Sequence, residues 1–189
     1  MNGGRGNFRG FPPHASLPGR TSPAGAARIR QIKGRGDLGS QAGTYAIIFR
    51  CTGGERIVVS RLGPCEFEDG YYVYVGSAFG PGGVRARVLR HHRGEKPRHW
   101  HIDYLRDRMH FVEAWCSHDL ERREHLWAGV MSSLNFPQHL KGFGSSDCGC
   151  FSHLFYVATR PRLSIFRSAV MARVPGHQEI AAWNPTSQG

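Results

Sequence analysis

The longest uninterrupted apolar run in this chain is five residues, as from Tyr45 to Phe49. A membrane-spanning helix needs about 20 such residues, so a span is excluded and the buried elements must be short ones separated by turns. Glycine and proline supply the turns, and composition divides the chain into three parts. Residues 1–42 carry seven basic side chains against the single acid Asp37, a net of +6, together with nine Gly and four Pro. So little apolar content cannot offset the entropy of ordering, and this part reads as a disordered basic arm. A transit peptide or an upstream start is the alternative. Residues 43–160 hold the regular patterning at a net of +3, and residues 161–189 form a tail at a net of +2.

Within 43–160, strand and helix signals alternate. Thr44 to Cys51 reads as a buried strand between Gly43 and Gly53-Gly54, and Arg56 to Ser60 as a second strand across that turn. Tyr71 to Val75 is a third, with Tyr72 and Tyr74 on one face and Val73 and Val75 on the other. Pro81-Gly82-Gly83 releases a helix to about Arg93, and Trp100 to Arg106 is a short second helix. Met109 to Cys116 is a further strand, Leu120 to about Leu134 a longer helix capped by Ser117 or Asp119, and Leu154 to Ala158 a last strand. Beyond Pro161 only a weak helix around Ile165 to Ala172 is expected. The fold class is an α/β domain of the α+β kind, a small and mostly antiparallel sheet flanked by helices.

The formal charge of +11 predicts polyanionic partners, nucleic acid first, with no membrane insertion. Five cysteines in 189 residues make neither an even count nor a dense disulfide framework, and no apolar secretory core stands near the start. A reducing, cytoplasmic setting follows.

Three arrangements carry chemical interest. On the first helix Arg87 and His91 stand at i and i+4 on the face of Val84 and Val88, as a phosphate oxyanion would require, although a solvated basic face has the same spacing. On the long helix Glu124 falls at the edge of the stripe of Leu120, Trp127, Val130, Met131 and Leu134. A carboxylate there needs a cation, a hydrogen-bond network or a metal. The tyrosine strands, Gly43-Thr44-Tyr45 and Tyr74-Val75-Gly76, could bring both phenols to one side, though a strand tyrosine alone is ordinary packing.

Taken in order, Gly-Thr-Tyr, Tyr-Val-Gly, Arg87 to His91 and a helical Glu124 resemble the GIY-YIG nuclease superfamily. Tyr71 to Arg90, His99 to Leu105 and Gly142 to Cys148 resemble more specifically one branch of that group, sometimes fused to an endonuclease III-type glycosylase. The resemblance covers about residues 43–157 and implies a GIY-YIG-like fold and a metal-dependent endonuclease of DNA, in repair or nucleic-acid processing and nucleoid-associated. It implies that Tyr45 lies near the attacking water as base or orienting partner, with Tyr74 beside it on the scissile phosphate. Arg87 would stabilise the charge on phosphorus and His91 assist. Glu124 would hold one divalent ion, Mg2+ or Mn2+, and the products would carry a 5′-phosphate and a 3′-hydroxyl. The 29 positions from Tyr45 to Tyr74 exceed the spacing in the repair nucleases, Ser146 or Asp147 stands for the late asparagine, and Glu121 competes with Glu124 for the metal role.

A non-catalytic nucleic-acid-binding module with the same fold is the alternative. The other cluster in the sequence, Cys148, Cys150 and His153 with His139 upstream, has Cys-x-Cys rather than the usual two-residue knuckle spacing. It is expected to pack a tight turn and to hold no stoichiometric zinc.

Overall fold

A computed structural model describes residues 38–93 and 97–185. The basic arm, apart from residues 38–42, lies outside them. The strands are β1 (Gly43–Cys51), β2 (Glu55–Val59), β3 (Gly63–Phe67), β4 (Gly70–Ala78), β5 (His110–Ser117), β6 (Leu154–Val157) and β7 (Ala181–Trp183). The helices are α1 (Gly83–His92), α2 (Ile102–Leu105), α3 (Glu124–Ser133) and α4 (Leu163–Arg173).

The expected α+β architecture is present. Five strands form one antiparallel sheet in the order β6-β4-β1-β5-β7, and β2 and β3 make a separate hairpin. At the centre, β1 pairs with β4 along its whole length, from Gly43 opposite Ala78 to Cys51 opposite Gly70. Alternation then decides the layers. Tyr45, Ile47 and Phe49 face one way with Tyr72 and Tyr74, against Val84 and Val88 of α1, Ile102 and Leu105 of α2, and the hairpin. Ala46, Ile48, Val73, Val75 and Trp115 face the other way, against α3 and α4. Both faces of the sheet are therefore buried, which is why β1 reads as a continuous apolar run rather than an alternating one. On the second face Phe166 of α4 stacks on Trp115 at 5.2 Å and meets Trp127 of α3 edge-on at 5.1 Å. Full burial of each such side chain is worth roughly 1.5–3 kcal/mol.

Three local features differ from the sequence reading. The long helix starts at Glu124 rather than Leu120, and Leu120 is 91% exposed. Asp119 does not cap it. Its carboxylate accepts the N–H of Glu121 at 3.0 Å and binds the Arg123 guanidinium at 3.2 Å, closing a turn ahead of the helix. The Arg123 N–H instead reaches Thr44 Oγ1 on β1 at 3.1 Å, so the start of α3 is fixed by the sheet. β3 and β7 are strands that carried no recognised signal. β7 closes the β5 edge, and its Trp183 packs on Phe111 and His92. No helix among the described residues is long and apolar enough to cross a membrane.

Candidate active site

Register puts Tyr45 directly opposite Gly76. A Cβ at Gly76 would stand 2.6 Å from the Tyr45 hydroxyl, so the phenol can lie across β4 only because that position is glycine. Tyr74, two residues earlier on the same face, is covered by Gly144, where a Cβ would come within 2.6 Å of the ring and φ is +67°. The two tyrosine rings sit 6.5 Å apart.

α1 packs across these strands through Val84 and Val88 and brings two further side chains to the tyrosines. Arg87 is half-buried, with its guanidinium 4.2 Å above the Trp100 ring. It has no ion-pair partner among the described residues. His91 is buried behind Tyr45, with Nε2 3.1 Å from the phenol oxygen and Nδ1 3.1 Å from Oδ1 of Asp103. Asp103 is buried too, and its other oxygen accepts the N–H groups of His99 and Trp100 at 2.8 and 3.0 Å. Burial alone would raise the Asp103 carboxyl, but the His91 ring and those two N–H groups outweigh it and hold it well below the usual carboxylate range. His91 is pushed below its ordinary value by burial, only partly offset by Asp103. The neutral ring carries one proton, and the Asp103 carboxylate claims it at Nδ1. Nε2 is then an acceptor, and the Tyr45 hydroxyl donates to it. Burial, with Tyr74 adding to it, pushes the Tyr45 phenol far up, and burial with Glu124 does the same to Tyr74.

Glu124, the first residue of α3, closes the site from the opposite wall. Its Oε2 accepts the Ser77 hydroxyl at 2.7 Å, and its Oε1 lies 2.7 Å from Nδ1 of His153. Burial would raise this carboxyl, but the contacts from His153 and Ser77 win and lower it, leaving a carboxylate. Glu121, the competing candidate, is exposed and pairs with Arg123 at 2.8 Å.

Tyr45, Tyr74, Arg87 and Glu124 thus line one cleft of about 570 Å3. Arg61 and Arg122 add positive charge to it, and Ser146 and Asp147 are at its rim. A second cleft of about 480 Å3 shares Arg87 and Trp100 and adds Arg90, extending the basic surface. His91 alone of the expected site residues is withdrawn from the surface and reaches the cleft through Tyr45. Glu124 is the residue here that could hold a hard cation. The two protein contacts occupy two of the four lone-pair sites of Glu124, and Mg2+ commonly takes one or two carboxylates with water and phosphate oxygens.

Sequence reasoning missed Asp103 and Ser77, and it grouped His153 with Cys148 and Cys150 without its place beside Glu124. Asp103 sits inside the stretch His99 to Leu105, which carried resemblance without an assigned role, and a buried acid beside histidines was the signal available.

A family model described as "Domain of unknown function DUF123" matches residues 44–175. No curated protein and no solved structure matches the chain.

Proposed function

The chain belongs to the DUF123 family, and we propose that this member is a metal-dependent endonuclease hydrolysing phosphodiester bonds in DNA. The observation that carries the reading is convergence. Two phenols, a guanidinium and a carboxylate come from β1, β4, α1 and α3 to line one cationic cleft. The same four positions carried the GIY-YIG resemblance, which supports reading the family as a branch of that superfamily.

The reaction would run as follows. A water in the cleft hydrogen-bonds to the Tyr45 oxygen. As the water attacks phosphorus and the P–O3′ bond breaks, the water's proton passes to that oxygen while the phenol proton passes to His91 Nε2, and the departing 3′-oxygen takes a proton from solvent. Asp103 stabilises the resulting imidazolium and keeps the ring from rotating. Arg87, its guanidinium over the Trp100 ring, meets the negative charge that grows on the phosphoryl oxygens. Tyr74 donates to the scissile phosphate, and Arg61 and Arg122 hold flanking phosphates. Glu124 would hold a Mg2+ or Mn2+ ion, which would supply Lewis-acid charge to the reaction.

The test is incubation of purified protein with nicked, branched, single-stranded and duplex DNA, each with magnesium and with chelator. Magnesium-dependent strand scission leaving a 5′-phosphate is the expected result. Tight binding without scission in any arm would instead favour the non-catalytic binding module.

A further inference from the structure

Two cysteines and two histidines close on one another at the edge of the cleft, among them His153, the neighbour of Glu124. His125 is the second residue of α3, and Cys148, Cys150 and His153 come from the turn-rich segment that leads into β6. One ligand atom from each lies within 4.8 Å of the other three. His125 Nδ1 is 3.2 Å from Cys150 Sγ, and Cys148 Sγ is 3.5 Å from His153 Nε2.

We infer that His125, Cys148, Cys150 and His153 bind one zinc-type divalent ion in a closed, four-ligand site. A tetrahedral zinc with bonds of about 2.3 Å to sulfur and about 2.0–2.1 Å to nitrogen holds its ligand atoms roughly 3.3–3.8 Å apart. The two sulfur–nitrogen contacts already stand near that spacing. The widest separation of 4.8 Å has to close by about 1 Å, within the reach of side-chain rotation. Two thiolates and two imidazoles select a borderline-soft ion over magnesium. The other three cysteines, Cys51, Cys65 and Cys116, are buried with the apolar core and share no such company.

His153 adds a second observation. With Nε2 toward Cys148, its Nδ1 lies 2.7 Å from the Glu124 carboxylate. A metal-bound imidazole ordinarily gives its other N–H to a carboxylate, which fixes its tautomer and ring plane. That Nδ1 is buried close to the carboxylate but off the line of a hydrogen bond. Four protein ligands leave no open position, so the role is structural. The ion ties the first turn of α3 to the segment carrying Gly144 over Tyr74, and through His153 it positions Glu124.

The Cys-x-Cys spacing argued against zinc because the sequence offered no reason to count His125. His139, the upstream donor it did offer, is turned away, with Nε2 3.1 Å from the Glu66 carbonyl. The inference stands on ligand geometry and is independent of the nuclease reading.

The experiment is elemental analysis of full-length protein purified without chelator, paired with Co2+ titration of the metal-stripped wild type. One zinc per chain is expected, lost in C148S/C150S and retained in H139A. Cobalt should saturate at one per chain with a thiolate charge-transfer band and the intense visible bands of tetrahedral geometry, and zinc should bleach both. The cobalt arm does not depend on whether the serine variant folds. Zinc that is absent as purified and does not bind on addition overturns the site. So does a cobalt spectrum without the thiolate band, or zinc retained by a folded C148S/C150S.

Discussion

The Tyr45 hydroxyl and Nε2 of His91 stand 3.1 Å apart, 46 residues away from each other in sequence and both buried. Neither could do proton chemistry alone in that position. The phenol is raised too far to ionise, and the imidazole, lowered by burial, meets the cleft at the phenol. Joined, with Asp103 on the far nitrogen, they form the hydrogen-bonded chain that the proposed mechanism uses to take up the proton of the water.

Removing either end should therefore cost the same step. Y45F and H91A are each expected to lower single-turnover cleavage by about 10²–10⁴, and the double variant should lose little more, because residues acting as a unit are not additive. If neutral His91 takes the proton, the acid limb of the rate profile should lie below the ordinary histidine value of about 6.5. Additive losses would separate the two residues into unrelated roles.

The same ring links stability to pH. The folded-state pKa of His91 lies below its unfolded value, so under about pH 6.5 the unfolded chain takes up a proton that the folded chain refuses. Stability falls as pH drops through that window. Asp103 has the depressed sense, and its contribution is present above the unfolded value of about 3.9 and is lost only as pH falls further. Urea unfolding between pH 7 and 5 should show a shallower pH slope for H91Q than for wild type. An equal slope would mean that the ring charges in the folded state.

Arg87 and Arg85 test which face of α1 matters. Arg87 lines the cleft, whereas Arg85 is exposed outside it. R87A should lose about 2–4 kcal/mol of transition-state stabilisation, roughly 30- to 1000-fold in kcat, and R85A less than a tenth of that in free energy. Single-turnover rates at saturating DNA make the comparison. Equal losses would remove the argument from the helix face.

Glu124 and Glu121 are separated by one helical turn in sequence and by burial in space. E124A should abolish magnesium-dependent cleavage while DNA binding is kept or strengthened, since a negative charge leaves the cleft. E121A breaks only an exposed pair with Arg123, worth at most about 1 kcal/mol, and should cleave normally. Cleavage by E124A with none by E121A would move the metal role to the wrong side of Arg123 for this cleft.

Much of this site was legible before the fold was known, and the reason is local. Tyr45, Tyr74 and Arg87 each sit beside glycine punctuation that marks a strand end or a helix start, so short-range pattern placed them on elements. Alternation put the two phenols on one face, and β1–β4 pairing needs little more. What escaped depends on contacts between distant segments. Asp103 matters only because α2 packs against α1, and His125 only because the segment before β6 folds back on α3. β3 carries Pro64 inside a five-residue strand, and β7 is three residues long, so neither has a periodicity to read. The α3 start moved because Asp119 found Arg123 and the Glu121 N–H, a choice that propensity at one position does not encode.

Residues 1–37 carry all seven basic side chains of the first 42 and none of the proposed catalytic residues, so the proposal makes them separable from the chemistry. The cut belongs before Leu38 and no later. Leu38 is buried, and the carbonyls of Gly39 and Gln41 accept the N–H groups of Arg85 and Val84 at 3.0 Å, fixing the first turn of α1. A cationic segment raises affinity by releasing counterions from DNA without shaping a transition state. A chain beginning at Leu38 should bind duplex DNA more weakly, with a log–log salt slope flatter by up to about 0.9 per lost phosphate contact. Its single-turnover rate at saturation should stay near that of the full chain. The measurement is a salt titration of binding beside single-turnover cleavage for both proteins. An unchanged slope would show that the segment is no tether and favour a transit peptide. A collapsed rate at saturation would show that it belongs to the active structure.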